Sequence, residues 1–294
     1  MQYEGAIYRP PSEAYSLIIQ ATIGCTHNRC TFCPSYRDKQ FRLRPFDAVV
    51  DDLREARQFY RHVERIFFAD GDAFCMTAEK FARLLDAAHR IFPECSRVGA
   101  YSRATQILQK SDEDLIKLRE MGLGILYVGA ESGSDEVLRR VEKGESAQQI
   151  IEAVQKAESA GIKTSVTLIS GLGGKALMDE HAVKTGEMIS AMNASYVGFL
   201  TLLLEPPAPL YFDALSGIFT PLTPFEVMRE MEVVFENINC NGQTGRETVF
   251  RSNHASNWLV LKGTLPKDKE LMLEQIRYAK SNADMFRAQE LRRL

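Results

Sequence analysis

Residues 111–130, SDEDLIKLREMGLGILYVGA, contain a helix signal followed directly by a strand signal. Ser111 and Asp114 stand at the spacing of a helix N-terminal cap, and Gly122 ends the helical pattern. The run GILYVGA (124–130) is continuously apolar, which is typical of a strand covered on both faces. The stretch therefore predicts one repeat of an α/β protein.

The same alternation continues in both directions along the chain. Other strand-like runs lie at 16–23, 64–70, 97–102, 163–170 and 196–204. Helical patterns lie at 48–60, 77–92, 146–161 and 179–193. Six strand–helix units imply parallel strands with right-handed crossovers, which fit a barrel or an open doubly wound sheet. We predict an α/β fold with a C-terminal extension, and both architectures stay open at this point.

The pattern changes after Glu205. A new helix is predicted to open at Thr223-Pro224-Phe225-Glu226, which combines a cap, a first-turn proline and a capping box. We therefore expect a core domain over residues 1–205. We expect residues 206–294 to form an extension of helices and loops that packs on the core and closes the substrate side.

Composition excludes several classes of protein. The chain has 294 residues, of which 45% are hydrophobic and 26% charged, as in ordinary globular proteins. A net charge of -3 gives no global electrostatic reason to expect nucleic acid as a partner. No apolar run approaches the roughly 18 residues of a membrane helix, and no secretory signal is visible. We therefore expect a cytoplasmic protein without membrane contact, in a compartment where thiols stay reduced.

Three of the six cysteines stand within GCTHNRCTFCP (24–34), just after the first predicted strand. Cys25, Cys30 and Cys33 have the spacing Cys-x4-Cys-x2-Cys. A zinc site normally needs four ligands, and His27 is poorly placed to be the fourth. Three thiolates suit a four-iron cluster that leaves one iron open to another ligand.

The other three cysteines, Cys75, Cys95 and Cys240, are scattered, and we expect them to be small buried hydrophobes. Cys75 follows Asp72 by three residues and stands near the same predicted barrel mouth. A hydrogen-donor role for this thiol stays open, although a structural role is favoured.

The cysteine loop resembles the cluster loop of the radical S-adenosylmethionine (SAM) enzymes, with Phe32 as the aromatic residue before the last cysteine. Their usual spacing has one residue fewer between the first two cysteines. The segments FFADGDA (67–73), VGAESGSDEVL (128–138) and VTLISGLGG (166–174) also resemble that superfamily, at successive strand ends. The middle segment is similar to the subgroup of the elongator radical domain, the methylthiotransferases and the oxygen-independent coproporphyrinogen oxidases.

The resemblance implies a partial (β/α)6 TIM-type barrel with a C-terminal helical and loop extension, and it implies a set of SAM-binding residues. The second strand end would meet the SAM amino group, and Glu131 would meet the ribose, where two carboxylate oxygens can face two hydroxyls. Lys143, or its rival Arg103, would lie toward the SAM carboxylate, and the fifth strand end would pack on adenine. The implied residues are Phe32, Asp70, Gly71, Asp72, Arg103, Glu131, Lys143, Ile169 and Gly171.

The resemblance also implies an activity. Cys25, Cys30 and Cys33 would bind one [4Fe-4S] cluster, and the protein would reductively cleave SAM to a 5′-deoxyadenosyl radical that acts on an unidentified small-molecule substrate. Flavodoxin or ferredoxin would supply the electron. Two alternatives stay open: a non-catalytic carrier or chaperone that binds the cluster and SAM, and a zinc-stabilised binding module.

Two polar stretches remain to be interpreted. In ETVFRSNHASNWLVLKG (247–263) we predict that Arg251, Asn253, His254 and Asn257 touch substrate, with His254 and Asn253 as candidate catalytic residues. A hydrogen-bonded closing segment of the barrel is the alternative. The basic stretch SYRDKQFRLRP (35–45) would meet an acidic reductant or a phosphate-bearing substrate, or would simply be a solvated loop, which is the favoured interpretation.

Overall fold

The β-rich apolar runs form the strands of the structure, a computed structural model that describes residues 1–239 and 247–292. The strands are β1 (Leu17–Gln20), β2 (Thr22–Ile23), β3 (Arg42–Leu43), β4 (Arg65–Ala69), β5 (Arg97–Ser102), β6 (Leu123–Glu131), β7 (Lys163–Ser170), β8 (Tyr196–Thr201), β9 (Thr248–Arg251) and β10 (Lys262–Leu265). The α-helices are α1 (Phe46–Phe59), α2 (Ala78–Ile91), α3 (Ala104–Leu108), α4 (Asp112–Glu120), α5 (Asp135–Arg140), α6 (Ala147–Ser159), α7 (Met178–Met192), α8 (Pro209–Leu215), α9 (Pro224–Glu236) and α10 (Lys269–Ser281).

Within the described ranges, eight strands form one mostly parallel sheet in the order β1-β4-β5-β6-β7-β8-β9-β10. As far as β9, the strands of this sheet follow one another in chain order with helices between them. A doubly wound sheet instead reverses its strand order at a switch point. The order is therefore that of a partial TIM-type barrel, and the predicted α/β fold class is confirmed. The last strand, β10, pairs antiparallel with β9.

Several local predictions are confirmed residue by residue. Strands β5 and β7 have the predicted bounds, and the capping boxes at Ser111–Asp114 and Thr223–Glu226 are both formed. The run 16–23 is not one strand: it breaks at Ala21, because β1 pairs in parallel with β4 whereas β2 pairs antiparallel with β3. The run 196–204 ends as a strand at Thr201.

One compact unit consists of Met1–Asn28, Ser35–Val128 and Lys156–Thr164. Its core is aromatic: Phe68 and Phe74 each meet Phe81 edge to face, with ring centroids 5.8 and 5.1 Å apart. All three rings are fully buried. This packing holds α2 against β4 and so fixes the residues that follow the strand.

A second unit consists of Arg29–Pro34, Gly129–Gln155 and Ser165–Leu294. Its core includes Phe250 of β9, whose ring centroid lies 5.7 Å from that of Phe199 on β8 and 5.0 Å from that of Phe235 on α9. The C-terminal part of the chain thus supplies strands to this unit as well as helices. The division into a core of 1–205 and an extension of 206–294 stays a prediction.

The cysteines outside the cluster loop differ in burial. Cys95 is buried as predicted, whereas Cys75 is only partly buried, and Cys240 lies outside the described residues. Among the described helices, none combines the length and the apolar character needed to cross a membrane.

Candidate functional site

Asp70, directly after β4, is fully buried and connects the start of the cysteine loop to the chain that follows it. Its Oδ2 accepts hydrogen bonds from Gln20 Nε2 (2.9 Å), from the backbone N–H of Gly24 (3.0 Å) and from Lys39 Nζ (2.8 Å). Its Oδ1 is buried with no hydrogen-bond partner among the described residues. Asp70 therefore orients the residue before Cys25, and one of its oxygens stays available.

Asp72 holds the next residue of the loop. Its Oδ2 accepts from Thr26 Oγ1 at 2.5 Å, and its Oδ1 accepts from the backbone N–H of Arg103 at 3.2 Å. The strand ends of β4 and β5 are thus joined by one buried carboxylate. The structure brings Asp72 and Arg103 together through the Arg103 backbone.

Gly71 stands where no side chain fits. A Cβ built on it would lie 2.6 Å from Cε2 of Tyr36 and 3.0 Å from Cβ of Cys25, and the first distance is shorter than atoms tolerate. The close approach brings the backbone of the β4 end directly against Cys25. Glycine between the two aspartates is therefore required by packing.

Cys75 lies near the same carboxylate. Burial, followed by the charge of Asp72, raises the pKa of its thiol to about 12, so the group stays protonated at neutral pH. Beside it, burial lowers the pKa of Lys110 to about 8, against the opposing effect of Asp72. Lys110 Nζ donates to the backbone oxygen of Phe74 at 2.9 Å and lies 4.0 Å from the centroid of its ring. Both interpretations of Cys75 remain open.

The basic stretch 35–45 is solvated only in part: Arg42 is exposed, whereas Lys39 and Arg44 are not, which the favoured interpretation did not foresee. Lys39 is buried against Asp70, and Arg44 Nη1 donates to Asp52 Oδ2 at 2.6 Å with both side chains largely buried. Arg42 pairs with Glu4, at 3.0 Å for one of its two bonds. Lys39 and Arg44 thus serve internal ion pairs, a use that a charge pattern alone does not reveal, whereas the Arg42–Glu4 pair lies on the surface.

Glu131 and Lys143 form a buried ion pair in the second unit, with 3.1 Å between Glu131 Oε1 and Lys143 Nζ. Burial opposes the charge of Lys143, but Glu131, Cys30 and Glu145 outweigh burial and raise the pKa of the ammonium above its ordinary value. Lys143 is therefore charged and close to a cysteine of the loop. The structure brings together a predicted ribose ligand, a predicted carboxylate ligand and a predicted iron ligand.

Gly129 makes this arrangement possible. Glu131 has φ +66°, an unusual value for glutamate, and its side chain folds back over the strand. A Cβ on Gly129 would lie 2.1 Å from Glu131 Oε1 and 3.1 Å from Lys143 Nζ. Sequence reasoning missed Gly129, although a glycine two residues before the acid in VGAES is a visible signal.

Phe32 and Ile169 lie in one apolar cluster. Phe32 packs against a buried group of Val137, Val141, Ile169, Leu172 and Leu210. The backbone of the cysteine loop is fixed there as well: Thr31 N donates to Val141 O at 3.0 Å, and Leu210 N donates to Thr31 O at 2.9 Å. Ile169, which is predicted to lie on the adenine side, and Phe32 of the cysteine loop are thus supported by α5 and by the start of α8.

Glu230, on α9, is fully buried and holds the end of β7. Its Oε1 accepts from Ser170 Oγ at 2.6 Å and from the backbone N–H of Gly171 at 2.7 Å. Burial raises the pKa of this carboxyl, against the opposing effects of His181 and the two hydrogen bonds. Sequence reasoning missed Glu230, because a glutamate on an amphipathic helix normally faces solvent.

His181 connects the ends of β6 and β7. Its Nε2 lies 3.1 Å from Ile169 O, which can only accept, so Nε2 carries the proton. Its Nδ1 lies 2.7 Å from Ser132 Oγ, which in turn accepts from Ser134 N at 2.9 Å. The ring therefore ties the segment after Glu131 to the predicted adenine segment.

The segment 247–263 is more structured than predicted. Asn257 is buried, donating to Phe199 O at 2.8 Å and accepting from Thr201 Oγ1 at 3.0 Å. Arg251 is exposed, and its Nη1 donates to the backbone oxygens of Phe250 and Gly263. Asn253 is exposed and His254 is half-buried. Asn257 therefore fits the interpretation of a hydrogen-bonded closing segment, whereas Asn253 and His254 remain accessible.

The residues present fit a cluster and SAM. Cys25, Cys30 and Cys33 are reduced, partly exposed thiols. Asp70 offers a buried oxygen, and a cation lies beside Cys30. No three His, Cys, Asp or Glu side chains are gathered as a metal site within the described ranges, so the ligand set rests on the cysteine spacing.

Comparison with known proteins identifies relatives over most of the chain. The Radical SAM superfamily model matches residues 19–187. The heme chaperone HemW of Bacillus subtilis strain 168 is 22% identical over 227 residues, which are 74% of this chain and 58% of that protein. The tRNA-2-methylthio-N(6)-dimethylallyladenosine synthase of Mycolicibacterium gilvum PYR-GCK is 24% identical over 212 residues, or 66% of this chain and 41% of that protein. The chain thus spans about half the length of these two relatives.

A solved structure has the same fold. The radical SAM methyltransferase TsrM from Kitasatospora setae, determined with cobalamin and a [4Fe-4S] cluster bound, matches with a TM-score of 0.55 and 20% identity. The match covers 69% of this chain and 39% of that one. At this identity the likeness concerns the fold alone.

Proposed function

This chain belongs to the radical SAM superfamily, whose members use a [4Fe-4S] cluster and SAM, and from that premise we propose that it is a radical SAM enzyme acting on a small-molecule substrate. The observation that supports the proposal is the buried pair of Lys143 and Glu131, whose side-chain atoms lie 3.1 Å apart in the unit that also contains Cys30 and Cys33. A buried cation thus lies beside a residue proposed for SAM binding. When bound, the cluster and SAM supply one-electron reductive cleavage of SAM and hydrogen abstraction from the substrate.

We assign the cluster to Cys25, Cys30 and Cys33. Asp70 supports this loop by accepting from Gly24 N, and Asp72 does so by accepting from Thr26 Oγ1, on either side of Cys25. Both carboxylates are buried, so these hydrogen bonds are protected from exchange with water. Their proposed role is to hold the loop in one conformation before the cofactor arrives.

We assign SAM to the strand ends. Glu131 would accept from the ribose hydroxyls while Lys143 neutralises part of its charge. Arg103 remains a rival for the SAM carboxylate. Phe32, Ile169 and Gly171 would form the adenine side, since Phe32 and Ile169 share one apolar cluster and Glu230 fixes Gly171.

The test is anaerobic reconstitution with iron and sulfide, followed by SAM and dithionite. Chromatography should detect 5′-deoxyadenosine in the wild-type protein and none in a Cys30→Ala variant. A brown, SAM-binding protein that forms no 5′-deoxyadenosine contradicts the enzyme proposal.

The likeness to a heme chaperone over 74% of the chain favours one second candidate, a cluster- and SAM-binding carrier without radical turnover. The same assay separates the two, because a pure carrier leaves SAM intact. Saturable heme binding without SAM cleavage is the outcome that favours the carrier.

Further assignments complete the proposal. We propose that flavodoxin or ferredoxin reduces the cluster and that the protein works in the cytoplasm. We also propose that residues 206–294 close the substrate side of a 1–205 core. The reductant is tested by replacing dithionite with reduced flavodoxin in the 5′-deoxyadenosine assay.

A further inference from the structure

A groove lies between the first turns of α1 and α2, in the first unit, with a cavity volume of about 320 Å³. Its floor is apolar and comes from Leu43, Phe46, Val49, Met76 and Leu84. Val49 and Leu84 are buried, whereas Leu43 is 38% exposed, so the groove opens to solvent on one side. The volume lies at the small end of ordinary ligand sites, which start at about 300 Å³.

The rim of the groove carries three cations, Arg44, Lys80 and Arg83, and no acidic side chain lines it. Arg44 is committed to Asp52 Oδ2 at 2.6 Å and to Gln20 O at 2.8 Å. Lys80 and Arg83 are exposed and have no carboxylate within ion-pair distance in the described part of the chain. Neither cation therefore forms an ion pair among the described residues, and the acidic residues of the same first turns, Asp47 and Glu79, are exposed.

Arg83 is already held in place. Its guanidinium carbon lies 4.4 Å from the centroid of the Phe46 ring, so the planar group is stacked on the groove wall. A stacked guanidinium keeps its edge N–H groups available to a carboxylate, sulfonate or phosphate. The first turns of α1 and α2, each helix 14 residues long, add their partial positive charge on the same side.

The combination selects one ligand chemistry. An inorganic anion would leave the apolar floor in contact with water, and a neutral apolar molecule would leave both cations unused. A ligand with an apolar body and one anionic group satisfies floor and rim together. The concave shape favours a small molecule over a flat acidic protein surface.

We infer that this groove binds a small organic anion with a ring-sized apolar body and a single carboxylate, sulfonate or phosphate group. The body lies on Phe46 and Leu84, and the anionic group lies between Lys80 and Arg83. None of the groove residues belongs to the proposed cluster or SAM site. The inference therefore does not depend on the proposed function.

The experiment uses the full chain with its cluster reconstituted and measures binding by isothermal titration calorimetry. The probes are 2-naphthoate, its neutral analogue 2-naphthalenemethanol, and inorganic phosphate. We expect saturable binding of 2-naphthoate that weakens as salt is added, with both other probes at least tenfold weaker.

Variants test the rim and the floor separately. Lys80→Gln and Arg83→Gln should each weaken 2-naphthoate binding about tenfold, since each removes a hydrogen bond to a charged group. Leu43→Trp, which fills the open side, should abolish binding while leaving both cations. Arg90→Gln is the matched control, because Arg90 is on the same helix but pairs with Asp86 on the surface.

Each of these results overturns the inference: no saturable binding of 2-naphthoate, equal binding of the alcohol, or unchanged binding in both Lys80→Gln and Arg83→Gln. Phosphate binding as tight as that of 2-naphthoate also overturns it, because the apolar floor then contributes nothing. Lys80 and Arg83 are exposed, so folding of these variants is expected to match wild type, and circular dichroism checks it.

Discussion

Lys39 Nζ lies 2.8 Å from Asp70 Oδ2, and the two side chains are 3% and 0% exposed. The same oxygen accepts from the backbone of Gly24, one residue before Cys25. A single carboxylate therefore fixes the chain before the three cysteines and the chain after them. Because the pair is buried, loss of either member leaves the other charge without compensation.

Asp70→Ala is expected to lower the free energy of unfolding by about 3–5 kcal/mol, the usual effect of breaking a buried pair on one side. It should also reduce the iron bound per chain, because Gly24 loses its acceptor. Urea unfolding and iron analysis after anaerobic reconstitution measure both effects. Asp38→Ala, at an exposed neighbouring site, is the control and should match wild type. Full iron content and stability in Asp70→Ala contradict the positioning role.

Single replacement of Cys25, Cys30 or Cys33 by Ala should remove most iron and the broad visible absorption of the cluster, because each thiolate is one of only three protein ligands. Cys95→Ala is the matched control: this buried cysteine donates to Arg97 O at 3.4 Å and should not affect iron content. Iron and sulfide analysis on all four variants decides the assignment. A complete cluster in each of the three loop variants excludes it.

Glu131→Gln should weaken SAM binding about ten- to a hundredfold, since a hydrogen bond to a charged group contributes roughly 1.5–3 kcal/mol. The fold should persist, because Glu145 Oε2 lies 3.9 Å from Lys143 Nζ and remains as a partner. Equilibrium dialysis with the cluster-loaded protein measures the affinity. Glu136→Gln on the exposed side of α5 is the control. Unchanged affinity in both Glu131→Gln and Asp72→Asn counts against this map of the SAM site.

The strand ends could be predicted from sequence because continuous apolar runs mark buried parallel strands, and glycine and acidic residues follow them. The bounds of β5 and β7 match the prediction for this reason. Capping boxes are equally local, and Ser111–Asp114 forms as expected. The candidate site residues also lie in short segments, so the sequence alone is enough to propose them.

Contacts over long sequence distances could not be predicted. Glu230 reaches Gly171 from 59 residues away, and Asn257 reaches Phe199 from 58 residues away. The sequence around Lys39 is typical of a solvated loop, because its buried partner, Asp70, lies 31 residues later in the chain. The neighbouring residues in the sequence do not indicate whether a polar side chain will have a buried partner in the folded protein.

The raised pKa of Glu230 leads us to predict a pH effect on the free energy of unfolding. Burial raises its pKa above the ordinary value of 4.5, so the folded state holds this proton more tightly than the unfolded state. Its contribution to the free energy of unfolding must then fall as the pH rises from 4.5 through the folded-state pKa. Glu230→Gln cannot ionise and keeps an acceptor for Gly171 N. The variant should therefore gain stability relative to wild type between about pH 5 and about pH 8.

Urea unfolding of the anaerobic protein at both pH values measures that gain. Glu232→Gln is the control on the same helix, because Glu232 forms ion pairs with Arg277 and Lys280 and should show no such gain. A constant difference between Glu230→Gln and wild type across this range contradicts a raised carboxyl pKa.

Asn253 and His254 are the accessible residues of the segment 247–263, and we predict that they affect substrate binding without affecting cofactor binding. His254 Nδ1 accepts from Ser256 N at 3.1 Å, so the neutral ring carries its proton on Nε2. Burial and the charge of Arg287 lower its pKa, which keeps the ring neutral near pH 7. Product formation that needs neutral His254 should therefore fall only as the pH drops through this lowered pKa.

Asn253→Ala and His254→Gln should leave cluster content, folding and substrate-free SAM cleavage near wild type, because Asn253 is exposed and neither residue belongs to the proposed SAM site. Both should lower product formation on the true substrate. Asn257→Ala is the structural comparison: it removes buried bonds to Phe199 and Thr201 and should lower stability by about 1–3 kcal/mol. If Asn253→Ala instead loses cluster or unfolds, the segment is structural throughout. If SAM affinity alone falls, the segment belongs to the cofactor pocket.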